Sequence, residues 1–187
     1  MIMVGLLGAG RIGSLHAENI ASHRGSTLDA VADIDDVSAN NLAAQFGAVV
    51  KSADEIISDT KIDAILIATS TDTHSDFIEK ASSAGKAILC EKPVDLNLTR
   101  AKKCLEKVSA AKNPIMVGFN RRFDPNFSQL KKSLDNGEIG NRELLTITSF
   151  DPAPPPISYV KKSGGLYRDM MIHDFDLSNF IMGELPI

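Results

Sequence analysis

Short apolar runs alternate with helical spacings along the first 118 residues. Met1–Leu7 is an apolar run closed by Gly8, the pattern of a strand buried on both faces. Arg11–Ser22 then reads as a helix, and Leu28–Asp33 as a second strand. A helix follows over Asp36–Phe46, closed by Gly47. Ala48–Val50 is a weak third strand, with a short helix after Ala53. "IDAILIAT" (Ile62–Thr69) predicts a strong buried strand, and Asp72–Ala84 a helix ended by Gly85. "KAILCEKP" is a strand running into Pro93, Thr99–Ala111 a helix, and "PIMVGF" a further strand. Strands that alternate with helices predict an α/β fold, a parallel sheet covered by helices on both faces.

The pattern changes after Phe119. Asn126–Asn136 predicts a helix. Asn141–Phe150, "NRELLTITSF", has the length and Thr/Ile content of one longer strand. "DPAPPPISYVKKSGG" predicts a loop free of regular structure, because proline and glycine punctuate it. Leu166–Met182 predicts a final helix ended by Gly183. One strand, two helices and a long loop are too few to cover a sheet. The expected organisation is therefore a first domain over 1–119 and a partial α+β domain over 120–187.

Composition narrows the function classes. The chain has 187 residues, 43% of them hydrophobic, and a formal net charge of −4. A mildly acidic chain without a basic stripe offers no electrostatic footprint for nucleic acid. "MIMVGLLGAGRIG" has no basic n-region, and no apolar stretch is long enough to span a bilayer. Cys90 and Cys104 form no CxxC and have no ligand cluster near them in sequence, so two reduced thiols, a cytoplasmic location and no metal are expected.

"GAGRIG" sets Gly8, Gly10 and Gly13 at the G-x-G-x-x-G spacing. The spacing alone is weak, but a predicted strand precedes it, a helix follows, and the next strand ends in Asp33. That context is the dinucleotide fingerprint of a Rossmann-type sheet. Gly8 allows the tight turn, Gly10 lets backbone approach a pyrophosphate, and Gly13 lets helix pack close to strand. The helix N-terminus offers free N–H groups to the phosphates. Asp33 can accept from both ribose hydroxyls and would repel a 2′-phosphate. Asp35 and Asp36 add negative charge, so NAD is expected rather than NADP. Ligands of open parallel sheets sit beyond the C-terminal strand ends, where Thr69, Ser70, Thr71, Glu91, Lys92 and Asn120 fall. His74 either lines this crevice or makes a local hydrogen bond at a helix start. The candidate cofactor contacts are thus Gly8, Gly10, Arg11, Ile12, Gly13, Asp33, Ile34, Thr69, Ser70, Thr71, His74, Glu91, Lys92 and Asn120.

Lys92 stands before Pro93, which restricts its backbone. Near a nicotinamide such a lysine can hold an alcohol oxygen, or it can be a surface lysine with a snorkelling stem. In "GGLYRDMMIHDFD", Asp169 and His173 lie four residues apart, about one helical turn. His173 has the chemistry of a base for an alcohol proton and Asp169 could orient it. The plainer reading is a polar pair on a helix surface. Asp174 and Asp176 lie at other angles and suit structural roles.

Taken together, "GLLGAGRIG", "VADID", "IATSTDTH", "CEKPVD", "GFNRRFDP" and "GGLYRDMMIHDFD" resemble the glucose–fructose oxidoreductase/inositol dehydrogenase (Gfo/Idh/MocA) family across essentially the whole chain. The likeness is strongest to its inositol 2-dehydrogenase branch, through "DPAPPPISYVKKSGG" and "RDMMIHDFD". It implies NAD-dependent oxidation of a ring polyol or sugar alcohol to a ketone, such as myo-inositol to scyllo-inosose. It further implies Lys92, Asp169 and His173 as the catalytic trio. His173 would take the hydroxyl proton, Asp169 support it and Lys92 hold the reacting oxygen. Asp151 and Arg121 fall at expected substrate contacts. Relatives usually carry a basic residue where this chain has Phe150. They also continue beyond the point where this chain stops, through most of the second domain and the usual homo-oligomer interface. The alternative expectation is therefore a shortened NAD-binding chain that is catalytically impaired or needs a complementing polypeptide.

Overall fold

The structure is a computed structural model that describes residues 1–151 and 153–183, without the side chains of Ser158, Lys161 and Lys162. Pro152 and the last four positions of the expected second domain, 184–187, lie outside the described residues. Two compact units are present, Met1–Gly118 and Phe119–Ile187.

The first unit is built on six parallel strands: β1 (Ile2–Leu7), β2 (Ser26–Ala32), β3 (Val49–Val50), β4 (Ala64–Ile67), β5 (Ala87–Cys90) and β6 (Ile115–Val117). Five helices separate them: α1 (Arg11–Ser22), α2 (Asp36–Phe46), α3 (Ala53–Ser58), α4 (His74–Ser83) and α5 (Leu98–Val108). The helix boundaries are chemically marked. Ser52 and Glu55 form a capping box at α3, Asn97 caps α5, and Gly47 ends α2 in the left-handed conformation.

Strand order is β3-β2-β1-β4-β5-β6. The chain moves outward from β1 in one direction, then returns to lay β4 on β1's other side. The crevice for a ligand is expected at this reversal. Both faces of the sheet are packed. Leu7, Ile65, Ile67, Ile78 and Ile88 fill one side with Ile56 and Cys104. Val4, Leu6, Val31 and Leu66 fill the other with Ala17, Ile20, Ala39 and Leu42. Each fully buried aliphatic side chain contributes about 1.5–3 kcal/mol, which fixes the strand ends that carry the site. Cys90 and Cys104 are free and buried in this core, and burial pushes both thiols up from their ordinary range.

In the second unit, α6 (Pro125–Asp135) begins with an Asp124 cap and proline in its first turn. Three expectations are corrected beyond it. The segment 141–150 forms no strand. A strand needs a ladder partner, and no strand occurs among the described residues of this unit. The Pro- and Gly-rich segment is not free of regular structure: Pro156 is followed by α7 (Ile157–Ser163), which Gly164 ends with φ 85°. Proline there marks where a helix can start, not where helix is excluded. The single helix expected over Leu166–Met182 is two, α8 (Gly165–Asp169) and α9 (Met171–Met182). Met170 joins them, and the His173 N–H donates three residues back to the Met170 carbonyl. Asp169 therefore ends one helix while His173 sits in the first turn of the next.

Candidate cofactor and proton-handling sites

The glycine loop between β1 and α1 is shaped by close backbone approach. Gly8 has φ 103°, and a Cβ there would lie 2.4 Å from the Ala68 carbonyl oxygen. A Cβ on Gly13 would lie 2.0 Å from the Gly8 carbonyl oxygen. A side chain at Gly8 would collide with the backbone leaving β4, and one at Gly13 would push α1 away from the sheet. A Cβ on Gly10 would meet nothing within 4 Å, so the loop surface is open where a phosphate would approach. Arg11 and Ile12 open α1, whose N-cap is Gly10 with no side-chain bond, leaving its first N–H groups for an anion. Asp33 follows β2. Its Oδ2 accepts from the Ala9 N–H at 2.5 Å and its Oδ1 from the Asp35 N–H at 2.9 Å. The acid is thereby fixed beside the glycine loop, with Ile34 fully exposed next to it. Open loop, helix N-terminus and held carboxylate suit the phosphates and a ribose diol of a dinucleotide.

The ends of β4 and β5 bring the other candidates together. Thr69 and Thr73 hydroxyls are 2.7 Å apart, and the Thr73 hydroxyl donates to the Ser70 carbonyl. Ser70 is exposed and Thr71 half-buried in the 3-10 turn that leads into α4. Glu91 and Lys92 follow β5, and the Lys92–Pro93 peptide is cis. Glu91 Oε1 is 2.7 Å from His16 Nε2 on α1, and its Oε2 accepts from the Lys92 N–H at 3.3 Å. Burial pushes the Glu91 carboxyl up, but the His16 hydrogen bond and the charges of His16 and Lys92 outweigh it, so the group titrates below its ordinary value. Chain proximity could not signal His16, which lies 75 residues from Glu91.

The second unit has its own polar centre. Asn120 opens a 3-10 turn, Asn120–Phe123, and is exposed. Arg121 pairs with Asp174 and donates to the Ser149 hydroxyl at 3.2 Å, and Ser149 donates to Asp174 at 2.6 Å. Burial raises the Asp174 carboxyl, but Ser149, Arg121 and the charge of His173 together bring it below the ordinary aspartate range. Arg122 grips buried Asp176 with two bonds, at 2.8 and 2.5 Å, and lies over the Phe119 and Phe180 rings. Asp169 accepts from the Tyr159 hydroxyl at 3.0 Å. His173 is half-buried, and Asp151 exposed. The neighbouring "RR" and "HDFD" motifs are thus partners, with Asp174 and Asp176 in the structural roles expected of them.

Two family patterns cover the chain. One, an oxidoreductase family with an NAD-binding Rossmann fold, matches residues 2–119, and the GFO/IDH/MocA C-terminal domain matches residues 127–187. The chain belongs to the Gfo/Idh/MocA oxidoreductase family. It is 50% identical to an inositol 2-dehydrogenase of Rhizobium meliloti, over 100% of this chain and 56% of the relative. A myo-inositol dehydrogenase structure from Corynebacterium glutamicum matches with a TM-score of 0.92 and 43% identity, over 97% of this chain and 55% of that one. The scyllo-inositol dehydrogenase of Lactobacillus casei, solved with NAD(H) and scyllo-inositol, matches with a TM-score of 0.82 and 32% identity, over 98% and 56%. The chain therefore spans about half the length of these relatives.

Within this Gfo/Idh/MocA chain, His74 stands apart from the other cofactor candidates. It is 1% exposed, and both ring nitrogens face backbone carbonyl oxygens. It is the first residue of α4, yet its ring does not cap that helix: it faces the Thr69 carbonyl before the helix and the Pro93 carbonyl 19 residues further along the chain. Among the described residues no group of three acidic, histidine or cysteine side chains could hold a metal, and no helix is long and apolar enough to cross a membrane.

Proposed function

We propose that this chain carries the cofactor-binding and proton-handling parts of an NAD-dependent dehydrogenase acting on a ring polyol. Myo-inositol, oxidised to scyllo-inosose, is the leading substrate. The observation that carries the reading is 50% identity to an inositol 2-dehydrogenase over the whole chain, and the sequence carries the EKP lysine, Asp169 and His173. NAD fits the glycine loop and Asp33, and the carboxylates of Asp33, Asp35 and Asp36 oppose the 2′-phosphate of NADP. Two buried free thiols suit a cytoplasmic location.

When bound, NAD supplies the hydride acceptor, so the protein has to place the alcohol carbon and remove the hydroxyl proton. Lys92 donates a hydrogen bond to the reacting oxygen and steadies its developing charge. His173 takes the hydroxyl proton through a ring nitrogen, and Asp169, held by Tyr159, supports the imidazolium that forms. Arg121 keeps N–H groups beyond those committed to Asp174 and Ser149 and can donate to a polyol hydroxyl. Asp151 can accept from another. The test is NADH formation, followed by absorbance, over a panel of inositols and sugars. Lys92→Ala and His173→Ala should each lower turnover by about 10²–10⁴-fold. Undiminished turnover in both would remove them from the mechanism.

A further inference from the structure

We propose that His74 is a positioning residue that ties the Thr69 loop to the Lys92–Pro93 loop and so sets the nicotinamide half of the cofactor site. This rests on the NAD reading above. His74 Nδ1 lies 2.8 Å from the Pro93 carbonyl oxygen and Nε2 lies 3.0 Å from the Thr69 carbonyl oxygen. A ring with hydrogen on both nitrogens donates to both carbonyls, and a neutral ring donates to one. With the ring 1% exposed, water cannot replace either bond. Ser75 extends the seam, its one hydroxyl hydrogen shared between the Val94 carbonyl at 3.1 Å and Asp95 at 2.9 Å. The start of α4 therefore staples the exits of two adjacent strands, β4 and β5.

The topology separates this staple from Asp33, while the Ala68–Thr69 backbone packs against Gly8 of the glycine loop without using the His74 bonds. Asp33 follows β2, which pairs with β1 on the side opposite β4. An adenosine ribose at Asp33 and phosphates at the glycine loop leave the nicotinamide end for the β4 and β5 exits. His74 touches neither Asp33 nor the glycine loop in its hydrogen bonds. It acts on cofactor through the backbone of Thr69 and of Pro93, next to Lys92. Loss of the staple should weaken ligands that reach those exits and spare ligands that end at the phosphates.

ADP and NAD make that distinction. Calorimetry on the full chain would compare both ligands in wild type, His74→Ala, His74→Asn and His74→Gln, with thermal unfolding checked for each. An asparagine amide can reach for the Pro93 carbonyl as Nδ1 does, and a glutamine amide for the Thr69 carbonyl as Nε2 does. They keep the test alive if the alanine variant fails to fold. The expected result is an NAD affinity about tenfold weaker in His74→Ala, the size of one lost buried hydrogen bond. Asn and Gln should recover part of it, and ADP affinity should stay within about twofold throughout. Parallel weakening of NAD and ADP, or unchanged NAD affinity in folded variants, would overturn the positioning role. Failure of the wild-type chain to bind NAD would overturn the cofactor reading itself, and this proposal with it.

Discussion

In Met1–Gly118, aliphatic side chains fill both faces of one sheet, while in the second unit the buried hydrophobics among the described residues are Leu177 and Ile181. The second unit instead places Arg121 on Asp174 and Arg122 on Asp176, with Asp176 itself 7% exposed. The first unit draws on a non-directional force that a sequence pattern reveals. The second draws on directional pairs between groups 53 and 54 residues apart. Substitutions of the two kinds should therefore fail differently.

The largest effect is expected from the sheet. Ile65 is 1% exposed at the centre of one core layer, and Ile65→Ala should cost about 2–5 kcal/mol. Chemical denaturation would measure it, and amide exchange should show loss of protection across β1, β4 and β5 together. Arg122→Ala comes next. It strands the buried Asp176 carboxylate, but the Arg122 side chain is 42% exposed. The cost should therefore be about 2 kcal/mol, below the 3–5 of a wholly buried pair. Exchange should rise in α9 and leave the sheet protected. A sheet that loosened equally would erase the contrast between the units.

The smallest effect is expected at His16 and Glu91. The Glu91 carboxyl titrates lower in the folded chain than its ordinary value, despite burial, because His16 hydrogen-bonds it. Its contribution is fully present above that ordinary value and is lost as pH falls through the lowered folded one. His16→Gln should reduce the fall in melting temperature between about pH 5 and pH 3 and leave the neutral-pH fold intact. An unchanged acid profile would mean that the pair does not hold Glu91 ionised.

Legibility in the sequence follows the same division. The β1–glycine loop–α1–β2–Asp33 arrangement was readable because each part leaves a local mark: an apolar run, glycines where a Cβ cannot fit, an acid at a strand end. The strand expected at 141–150 was not readable as coil, because Thr and Ile content reports propensity while a strand depends on a partner. Helix α7 was hidden by its prolines, which stand before it. The break at Met170 falls directly after Arg168 and Asp169 with no glycine or proline at the joint as a sign. Pairings such as His16 with Glu91, Tyr159 with Asp169 and Arg122 with Asp176 exist only after folding. For His74 the sequence leaves a crevice contact and a local helix-start bond open, and only the folded chain shows that its ring faces two backbone carbonyls.

The glycine loop and the Asp33 carboxylate are proposed to make this chain a reader of NAD. Isothermal titration of the chain with NAD and with NADP, repeated on Asp33→Ala, tests it most directly. NAD should bind more tightly than NADP, with the preference lost in the variant as the ribose acceptor and its charge are removed. Equal affinity for the two cofactors in the wild-type chain, or a preference that survives Asp33→Ala, would contradict it.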